Sequence, residues 1–156
     1  MWRKLIVMAP VSLSIALLLS SCEDKITQCQ RLIQVVNAGN SLIEENKGEQ
    51  VVTSWQLSQD LQVITKSLKE LNLSDPKLRQ FQSSFAKSFE NLSQAIGKAS
   101  QALGAAKSAE TSPAGREKLQ QARTEIETSL SSAAETAGKQ SDALAKDLNK
   151  YCGPTE

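Results

Sequence analysis

Apolar residues recur at intervals of three and four along most of the chain after residue 22, and no sustained stretch alternates between apolar and polar positions. Spacing of three and four places apolar side chains on one face of an α-helix, whereas a half-buried strand needs alternation. Four successive segments show the helical spacing. The pattern therefore predicts an all-α protein built from four amphipathic helices.

The first predicted helix runs from Asp24 to Lys47 and is followed by Gly48, because glycine accepts the left-handed backbone conformation that ends many helices. Its buried stripe is predicted to contain Ile26, Cys29, Ile33, Val36 and Ile43, with Leu32, Val35 and Leu42 beside it. The second helix is predicted to begin at Thr53, since Thr53 and Gln56 have the spacing of a capping box. Its predicted stripe is Leu57, Leu61, Ile64, Leu68 and Leu71.

Two proline dipeptides, Asp75-Pro76 and Ser112-Pro113, predict where the third and fourth helices begin. Aspartate and serine accept hydrogen bonds from the free amides of a helix start, and proline in the first turn loses no intrahelical bond. Gly153-Pro154 is predicted to end the fourth helix. The third stripe is Leu78, Phe81, Phe85, Phe89, Leu92, Ile96, Ala99 and Leu103. The fourth is Leu119, Ala122, Ile126, Leu130, Ala133, Ala137, Leu144, Leu148 and Tyr151.

Four such helices with short connections are typical of an antiparallel up-down-up-down four-helix bundle. The first two helices would be about 30 to 36 Å long and the last two about 50 Å or more. The overhang of the longer pair is predicted at residues 105–119, and it is either a partner contact or a solvated hairpin end. Its predicted contact residues are Ala105, Ala106, Ala109 and Ala114. The alternative arrangement is a coiled-coil hairpin of the last two helices that oligomerises.

The amino-terminal segment has the pattern of an export signal. Arg3 and Lys4 precede an apolar stretch, residues 5–19, that is too short to span a bilayer comfortably. The end of this stretch and the three residues after it, Leu19-Ser20-Ser21-Cys22, resemble the bacterial lipobox. In a lipobox the cysteine receives a diacylglycerol and becomes the acylated first residue. The resemblance implies removal of residues 1–21 and a lipoprotein anchored to a bacterial membrane by palmitate-like acyl chains. The alternatives are an ordinary signal peptide with an incidental cysteine and an uncleaved anchor.

Cleavage would leave one domain, residues 22–156, of nearly neutral charge. The chain has 18 basic and 17 acidic side chains, and removing Arg3 and Lys4 leaves 16 basic and 17 acidic ones. Without a basic excess, and with aromatic residues at 4% of the chain, binding to nucleic acid has no electrostatic or stacking support. We therefore expect no nucleic-acid partner.

The remaining cysteines, Cys29 and Cys152, would meet at the same end of the predicted bundle, and an exported, oxidising compartment favours a disulfide between them. The alternative is two free thiols. The chain contains no histidine, so it has no Ser-His-Asp or Cys-His catalytic system and no histidine metal ligand. Most carboxylates fall outside the predicted stripes. We therefore expect no enzymatic activity, no cofactor and no metal site.

A further resemblance rests on the Cys29-x-x-Leu32-Ile33-x-Val35-Val36-Asn37 opening and the Tyr151-Cys152 close, together with the lipobox. These short patterns resemble small helical exported or lipid-anchored proteins of unknown function found in cyanobacteria. The resemblance covers most of the mature chain and implies a location on the periplasmic or lumenal side of a membrane. It brings no functional residues to transfer.

Two functions are consistent with this pattern. The first is a membrane-tethered, non-catalytic interaction or assembly module at the cell envelope or thylakoid, with another protein as partner. The alternative is a carrier of small apolar ligands with a slot inside the bundle, where Phe81, Phe85 and Phe89 are expected to be core. Trp55 is predicted to be a lid on the core, with a partner anchor as the other interpretation.

Overall fold

A computed structural model describes residues 24–46, 51–108 and 111–153 of the chain. Four α-helices account for the regular structure in these ranges: α1 (Lys25–Glu45), α2 (Val51–Glu70), α3 (Pro76–Lys107) and α4 (Pro113–Cys152). The all-α prediction is therefore confirmed for this part of the chain. Within the same ranges, no helix combines the length and the apolar character that a membrane crossing requires. The predicted leader and lipobox lie outside the described residues.

The helices α3 and α4 begin at the two proline dipeptides, as predicted. Oδ1 of Asp75 accepts hydrogen bonds from the backbone amides of Lys77 at 2.8 Å and Leu78 at 2.9 Å. The Ser112 hydroxyl oxygen accepts one from the amide of Gly115 at 3.1 Å. These contacts satisfy amide groups that have no carbonyl partner within the first helical turn.

The first helix is shorter at its carboxyl end than predicted. Asp24 is its N-cap, and the helix ends at Glu45 with Asn46 as the C-cap. The Asn46 side-chain amide donates to the backbone carbonyl of Leu42 at 2.8 Å and so satisfies one of the free carbonyls of the last turn. The predicted cap, Gly48, lies outside the described residues.

The predicted start of the second helix is wrong. The helix α2 begins at Val51, so Thr53 lies within it rather than at its N-cap. An N-cap residue needs a non-helical backbone, which Thr53 does not have. Gln56 does not reach back to the helix start, because its side-chain amide donates to a carboxylate oxygen of Asp60 at 2.9 Å, one turn further on.

The long helix α3 is the element on which the others pack. It lies along both α2 and α4, while α1 contacts α2, α3 and, over a short stretch, α4. Its predicted stripe is confirmed from Leu78 to Ala99, and Leu103 is half-buried. The hydrophobic core that results includes buried residues from all four helices. The predicted stripes of α2 and α4 are buried or half-buried except at Leu119, which is 42% exposed.

The buried face of α1 agrees with the prediction except at its amino-terminal end. Ile26, predicted to be buried, is 64% exposed. The other predicted residues are buried or half-buried against the core: Cys29, Leu32, Ile33, Val35, Val36, Leu42 and Ile43. Gln28 and Gly39, which the prediction did not include, are buried as well. A polar residue and a glycine therefore occupy positions that an apolar pattern cannot identify.

A pair of buried serines joins α2 to α3. The Ser58 hydroxyl donates to the backbone carbonyl of Ser93 at 2.9 Å, and the Ser93 hydroxyl donates to the carbonyl of Ser58 at 2.7 Å. Gly97 leaves room for this contact, since a Cβ atom there would lie 3.0 Å from the Ser58 hydroxyl oxygen. Both buried hydroxyls are thus hydrogen-bonded in spite of their apolar surroundings.

Gly39 provides a test of the packing between α1 and α3. A Cβ atom at Gly39 would lie 2.7 and 2.8 Å from two ring carbons of Phe89. We expect Gly39→Ala to lower the free energy of unfolding by about 1 to 2 kcal/mol, because the overpacking penalty exceeds the gain in helix propensity. Chemical denaturation followed by circular dichroism measures the change.

Gly138→Ala is the matched control, because a Cβ atom there meets nothing within 4 Å. Replacing a helical glycine by alanine at an open position should raise stability by about 0.5 to 1 kcal/mol. If Gly39→Ala stabilises the protein as much as Gly138→Ala does, the close packing of Phe89 on α1 is refuted.

Candidate functional site

The two remaining cysteines join the first and last helices. Cys29 and Cys152 form a disulfide with a Cα–Cα distance of 5.8 Å across a sequence separation of 123 residues. This distance lies within the usual range of about 4.4 to 6.8 Å for disulfides, so the structure agrees with the predicted pairing. Cys152 is the last residue of α4. We call this end of the molecule, together with the connection formed by residues 71–75, the disulfide pole.

Gln28, next to Cys29, ties α1 to the connection between α2 and α3. Its side chain is only 2% exposed. The amide nitrogen donates to the Ser74 hydroxyl at 2.9 Å, and the amide oxygen accepts from the backbone amides of Ser74 at 2.7 Å and Asp75 at 3.0 Å. One side chain therefore satisfies the backbone just ahead of α3.

Tyr151, next to Cys152, binds the same connection from the other side. Its hydroxyl donates to Asp75 at 2.9 Å, and the Lys25 ammonium lies 3.8 Å from its ring centre. The hydrogen bond from the amide of Leu78 holds the pKa of the Asp75 carboxyl below its ordinary value, helped by Tyr151, the amide of Lys77 and the charge of Lys25 and opposed by burial. The hydrogen bond to Asp75, then burial and the carboxylate charge, raise the pKa of Tyr151.

These shifts make the cluster a stabilising one near neutral pH. A lowered folded-state pKa means that the contribution of Asp75 to stability is complete above the ordinary value of 3.8 and is lost as the pH falls through the lower folded value. For Tyr151 the contribution is complete below its ordinary pKa of 10.0 and is lost as the pH rises through the raised value. Between these limits, Asp75 is ionised and Tyr151 is neutral.

Among the described residues, α3 and α4 form the opposite end of the molecule. With 21 residues α1 is about 32 Å long, whereas the 32 residues of α3 and the 40 of α4 give about 48 and 60 Å. We call the overhang, residues 104–108 and 111–119, the helical tip. Of the predicted contact residues, Ala105 and Ala114 are exposed and Ala106 is half-buried, while Ala109 lies outside the described residues.

Trp55 does not form a lid on the core, and that prediction is wrong. Its side chain is 45% exposed, because it lies on the outward side of α2 while Leu57, Ser58 and Leu61 face inward. Val63 is a second exposed apolar residue on the same helix. Trp55 therefore remains available for the other predicted role, contact with a partner.

The carboxylates outside the predicted stripes lie at the surface wherever the structure describes them. Asp60 and Glu90 are half-buried, and Glu110 lies outside the described residues. The exposed ones are Glu70, Glu117, Glu125, Glu127, Glu135, Asp142 and Asp147. Several form ion pairs at the surface, such as Lys69 with Glu90 at 3.0 Å, and such pairs contribute at most about 1 kcal/mol each. Within the described ranges no group of three or more histidine, cysteine or acidic residues could hold a metal ion.

Several open grooves mark the surface between the helices. One of about 460 Å³ between α2 and α3 has a charged lining that includes Lys66, Lys69, Glu70 and Glu90. Another of about 410 Å³, between α3 and α4, is lined mainly by hydroxyl, amide and small side chains. Phe81, Phe85 and Phe89 are all buried in the core and line neither of these grooves.

A further opening, the α1–α4 cleft, has a more apolar floor and a volume of about 410 Å³. Its lining residues are Asn40, Ile43, Glu44, Leu92, Ala137, Gly138, Ser141 and Asp142. Leu92 and Ala137 are buried and Ile43 is half-buried, whereas the two acidic residues are exposed. The cleft thus combines an apolar floor with an acidic edge.

Comparison with known proteins adds no relative: no family model, no curated protein and no solved structure matches the chain. Functional inference therefore rests on the residues and geometry of this chain.

We expect Cys152→Ser to lower the free energy of unfolding by up to about 4 to 5 kcal/mol, because the disulfide closes a loop across 123 residues in the unfolded chain. Far-ultraviolet circular dichroism should still show a helical protein. Chemical denaturation measures the loss. The double variant Cys29→Ser, Cys152→Ser is the control and should lose about the same amount, since both changes remove the same link. Alkylatable thiols at both positions in protein taken from its native compartment would contradict the pairing.

Proposed function

We propose that this protein is a membrane-tethered, non-catalytic interaction or assembly module, held to the exported face of a bacterial cell envelope or thylakoid membrane by a lipid on Cys22. The observation that carries the proposal is the position of the lipobox relative to the fold. Cys22 precedes Asp24, the N-cap of α1, by two residues, and α1 begins at the disulfide pole. A lipid on Cys22 would put that pole at the membrane and the helical tip at the far end.

The arrangement that best fits this role is the antiparallel up-down-up-down bundle. Gln82, near the start of α3, donates to the carbonyl of Leu68 in the last turn of α2 at 2.6 Å and to that of Leu71, just after α2, at 2.8 Å. The hydroxyl oxygen of Ser88, in the first half of α3, lies 3.3 Å from the hydroxyl oxygen of Ser141, in the second half of α4. These contacts support opposite directions for successive helices. The packing of α1 and α2 against α3 favours this bundle over a free coiled-coil hairpin.

Contact with a protein partner would occur at surfaces that the core does not use. The helical tip extends about 16 Å beyond the length of α1 on α3 and about 28 Å on α4. It carries small side chains, which let another helix approach closely, and the exposed Leu119. The outward side of α2 adds Trp55 and Val63. A tip held away from a membrane suits capture of a partner that is itself out of reach of the bilayer.

The second candidate function is a carrier of small ligands, and the α1–α4 cleft favours it. Its volume of about 410 Å³ falls within the range of about 300 to 1,000 Å³ that is usual for ligand sites. This site differs from the slot inside the bundle that the sequence analysis considered for a carrier. It opens at the side of the bundle rather than inside the core.

The lipid anchor is tested by mass spectrometry of the native amino terminus. We expect a mature chain that begins at Cys22 with a diacylglyceryl thioether, since the lipobox directs that modification. Two or more acyl chains are needed for durable anchoring, because a single chain binds a membrane only marginally. Cys22→Ser should abolish lipid labelling without loss of helicity, as Cys22 precedes the packed helices. Retention of Met1, or an unmodified terminus at another residue, would refute the anchor.

The role of the helical tip is tested by replacing residues 105–114 with a short turn. We expect proteins that co-purify with the lipidated chain from native membranes to be lost, while the melting temperature hardly changes. Few large side chains are buried there, and exposed loop ends tolerate shortening. The matched control is Ala122→Glu, which places a charge at a buried position of α4 and should destabilise the fold.

If the shortened variant retains all native partners, the tip is only a solvated hairpin end. The contact surface would then lie on the helix faces, with Trp55→Ala as the next variant to examine.

A further inference from the structure

The disulfide pole is the part of the molecule that a lipid on Cys22 would hold against a membrane. Cys22 lies two residues before Asp24, the N-cap of α1, and two residues of extended chain span only about 7 Å. Such a short tether leaves the folded part little room to move away from the lipid headgroups. Side chains that project from this pole would therefore meet the bilayer surface.

Ile26 projects from this pole. Its side chain is 64% exposed, whereas Gln28 is 2% exposed and hydrogen-bonded to the connection ahead of α3. Two residues are a little more than half a helical turn, so the inward direction of Gln28 leaves Ile26 on the outer side of α1. Helical side chains lean toward the amino end of their helix, and α1 begins at this pole. A single exposed aliphatic residue is ordinary at a protein surface, but this one lies beside the lipid attachment point and leans toward it.

Basic side chains outnumber acidic ones among the described residues of the same pole. Residues 24–27, 71–80 and 149–153 contain two acidic residues, Asp24 and Asp75, and the carboxylates of both accept hydrogen bonds from the amides of a helix start. Glu23 and Glu156 lie outside the described residues. Anionic phospholipid headgroups attract basic side chains. The basic residues in these ranges are all exposed: Lys25, Lys77, Arg79 and Lys150.

The first turns of α1 and α3 form one surface at this pole. The Lys25 ammonium lies 3.8 Å from the ring centre of Tyr151, and the Tyr151 hydroxyl donates to Asp75, the N-cap of α3. Lys77 and Arg79 follow Asp75 in the first turn of α3, so they lean toward the pole as Ile26 does. An aliphatic residue beside aromatic and basic ones is a composition that suits the interface between water and lipid. We call this surface the pole patch, with the residues Lys25, Ile26, Lys77, Arg79 and Tyr151.

We propose that the pole patch binds the surface of an anionic phospholipid bilayer, with Ile26 at the boundary of headgroups and acyl chains and with Lys77 and Arg79 against lipid phosphates. This proposal rests on the membrane anchor of the proposed function, since the lipid brings the pole to the bilayer. It adds a second attachment point, which would fix the direction of the helices relative to the membrane. A weak contact suffices, because an anchored protein meets the surface at a high effective concentration.

The test anchors the mature chain through Cys22 whether or not the cell acylates that residue. Residues 22–156 contain every residue that the structure describes, and Cys22 is the third cysteine of the chain, available for coupling when Cys29 and Cys152 are bridged. A phospholipid with a maleimide headgroup captures the Cys22 thiol on vesicles of phosphatidylglycerol or of phosphatidylcholine. In a Trp55→Phe background, the single tryptophan of Ile26→Trp then reports lipid contact through quenching by brominated acyl chains.

Val63→Trp in the same background is the matched control. Val63 is 62% exposed, nearly as much as Ile26, but it lies seven residues, or about 10 Å, from the pole end of α2. On phosphatidylglycerol we expect quenching at position 26 to be at least about threefold stronger than at position 63, because bromine quenches only rings that reach the acyl boundary.

Charge and the native aliphatic side chain are tested with separate variants. Lys77→Gln together with Arg79→Gln should reduce quenching at position 26 to the level found on phosphatidylcholine, whereas Lys107→Gln, at the far end of α3, should not. In the uncoupled chain, Ile26→Ser should weaken cosedimentation with phosphatidylglycerol vesicles about threefold, and Val63→Ser should leave it unchanged.

The outcomes separate the lipid contact from the lipid anchor. Equal quenching at positions 26 and 63 on phosphatidylglycerol overturns the pole patch, and so does an Ile26→Ser chain that binds these vesicles as well as the parent chain. Quenching at position 26 that is the same on both lipids and survives the loss of Lys77 and Arg79 overturns the preference for anionic lipid. These results do not depend on acylation in the cell, because coupling replaces the native lipid. An unmodified Cys22 in the native protein refutes the anchor alone.

Discussion

The bond between Cys29 and Cys152 is the constraint on which the position of α1 depends. Along most of its length α1 packs on α2 and α3 and touches α4 little, so the disulfide is its main link to the last helix. The residue before each cysteine extends that link. Gln28 binds the backbone ahead of α3, and Tyr151 binds Asp75, the N-cap of α3. The disulfide, the side-chain amide of Gln28 and the carboxylate of Asp75 thereby join four helix ends at the disulfide pole.

The helices are closely joined at the disulfide pole, whereas they are less enclosed in the rest of the molecule. Away from the disulfide, α1 and α4 line the two sides of the α1–α4 cleft, and in the described part of the chain α3 and α4 are longer than α1. The buried stripe of α3 is what keeps the structure continuous across both regions, since it packs against α2 and α4 along most of its length. A base joined by the disulfide and its neighbouring hydrogen bonds, with a less enclosed upper part, is consistent with either proposed role, a contact surface at the tip or a site at the side.

The sequence predicts this fold well where the determining signals are local. Asp75-Pro76 and the regular apolar spacing of α3 lie within one segment, and both the start of the helix and its buried face follow from them. Helix lengths, and with them the overhang, follow in the same way. The cysteine pair is also predictable, because an antiparallel bundle, as the apolar spacing predicts it, would bring residues 29 and 152 to one end, and the structure places their Cα atoms 5.8 Å apart.

The features that could not be predicted depend on contacts between residues that are distant in the sequence. Gln28 resembles a surface residue until Ser74 and Asp75, 46 and 47 positions away, supply its hydrogen bonds. At this end of α1 Gln28 is buried and Ile26, two residues earlier, is exposed, which reverses what their polarity alone would predict. Likewise, the acidic edge of the α1–α4 cleft joins Glu44 to Asp142 across nearly a hundred residues. Neither carboxylate is distinctive within its own helix.

The disulfide also determines what happens to a molecule whose backbone has been cut. Because the bridge closes the chain between residues 29 and 152, a single proteolytic break anywhere in that interval leaves two fragments that are still covalently joined at the same pole. With a lipid on Cys22, both fragments would stay on the membrane. Nicking would then be visible only after reduction, and the core contacts between helices would continue to hold the two pieces in register. Such a protein would remain assembled after a single cut that would separate an unbridged chain into two unlinked fragments.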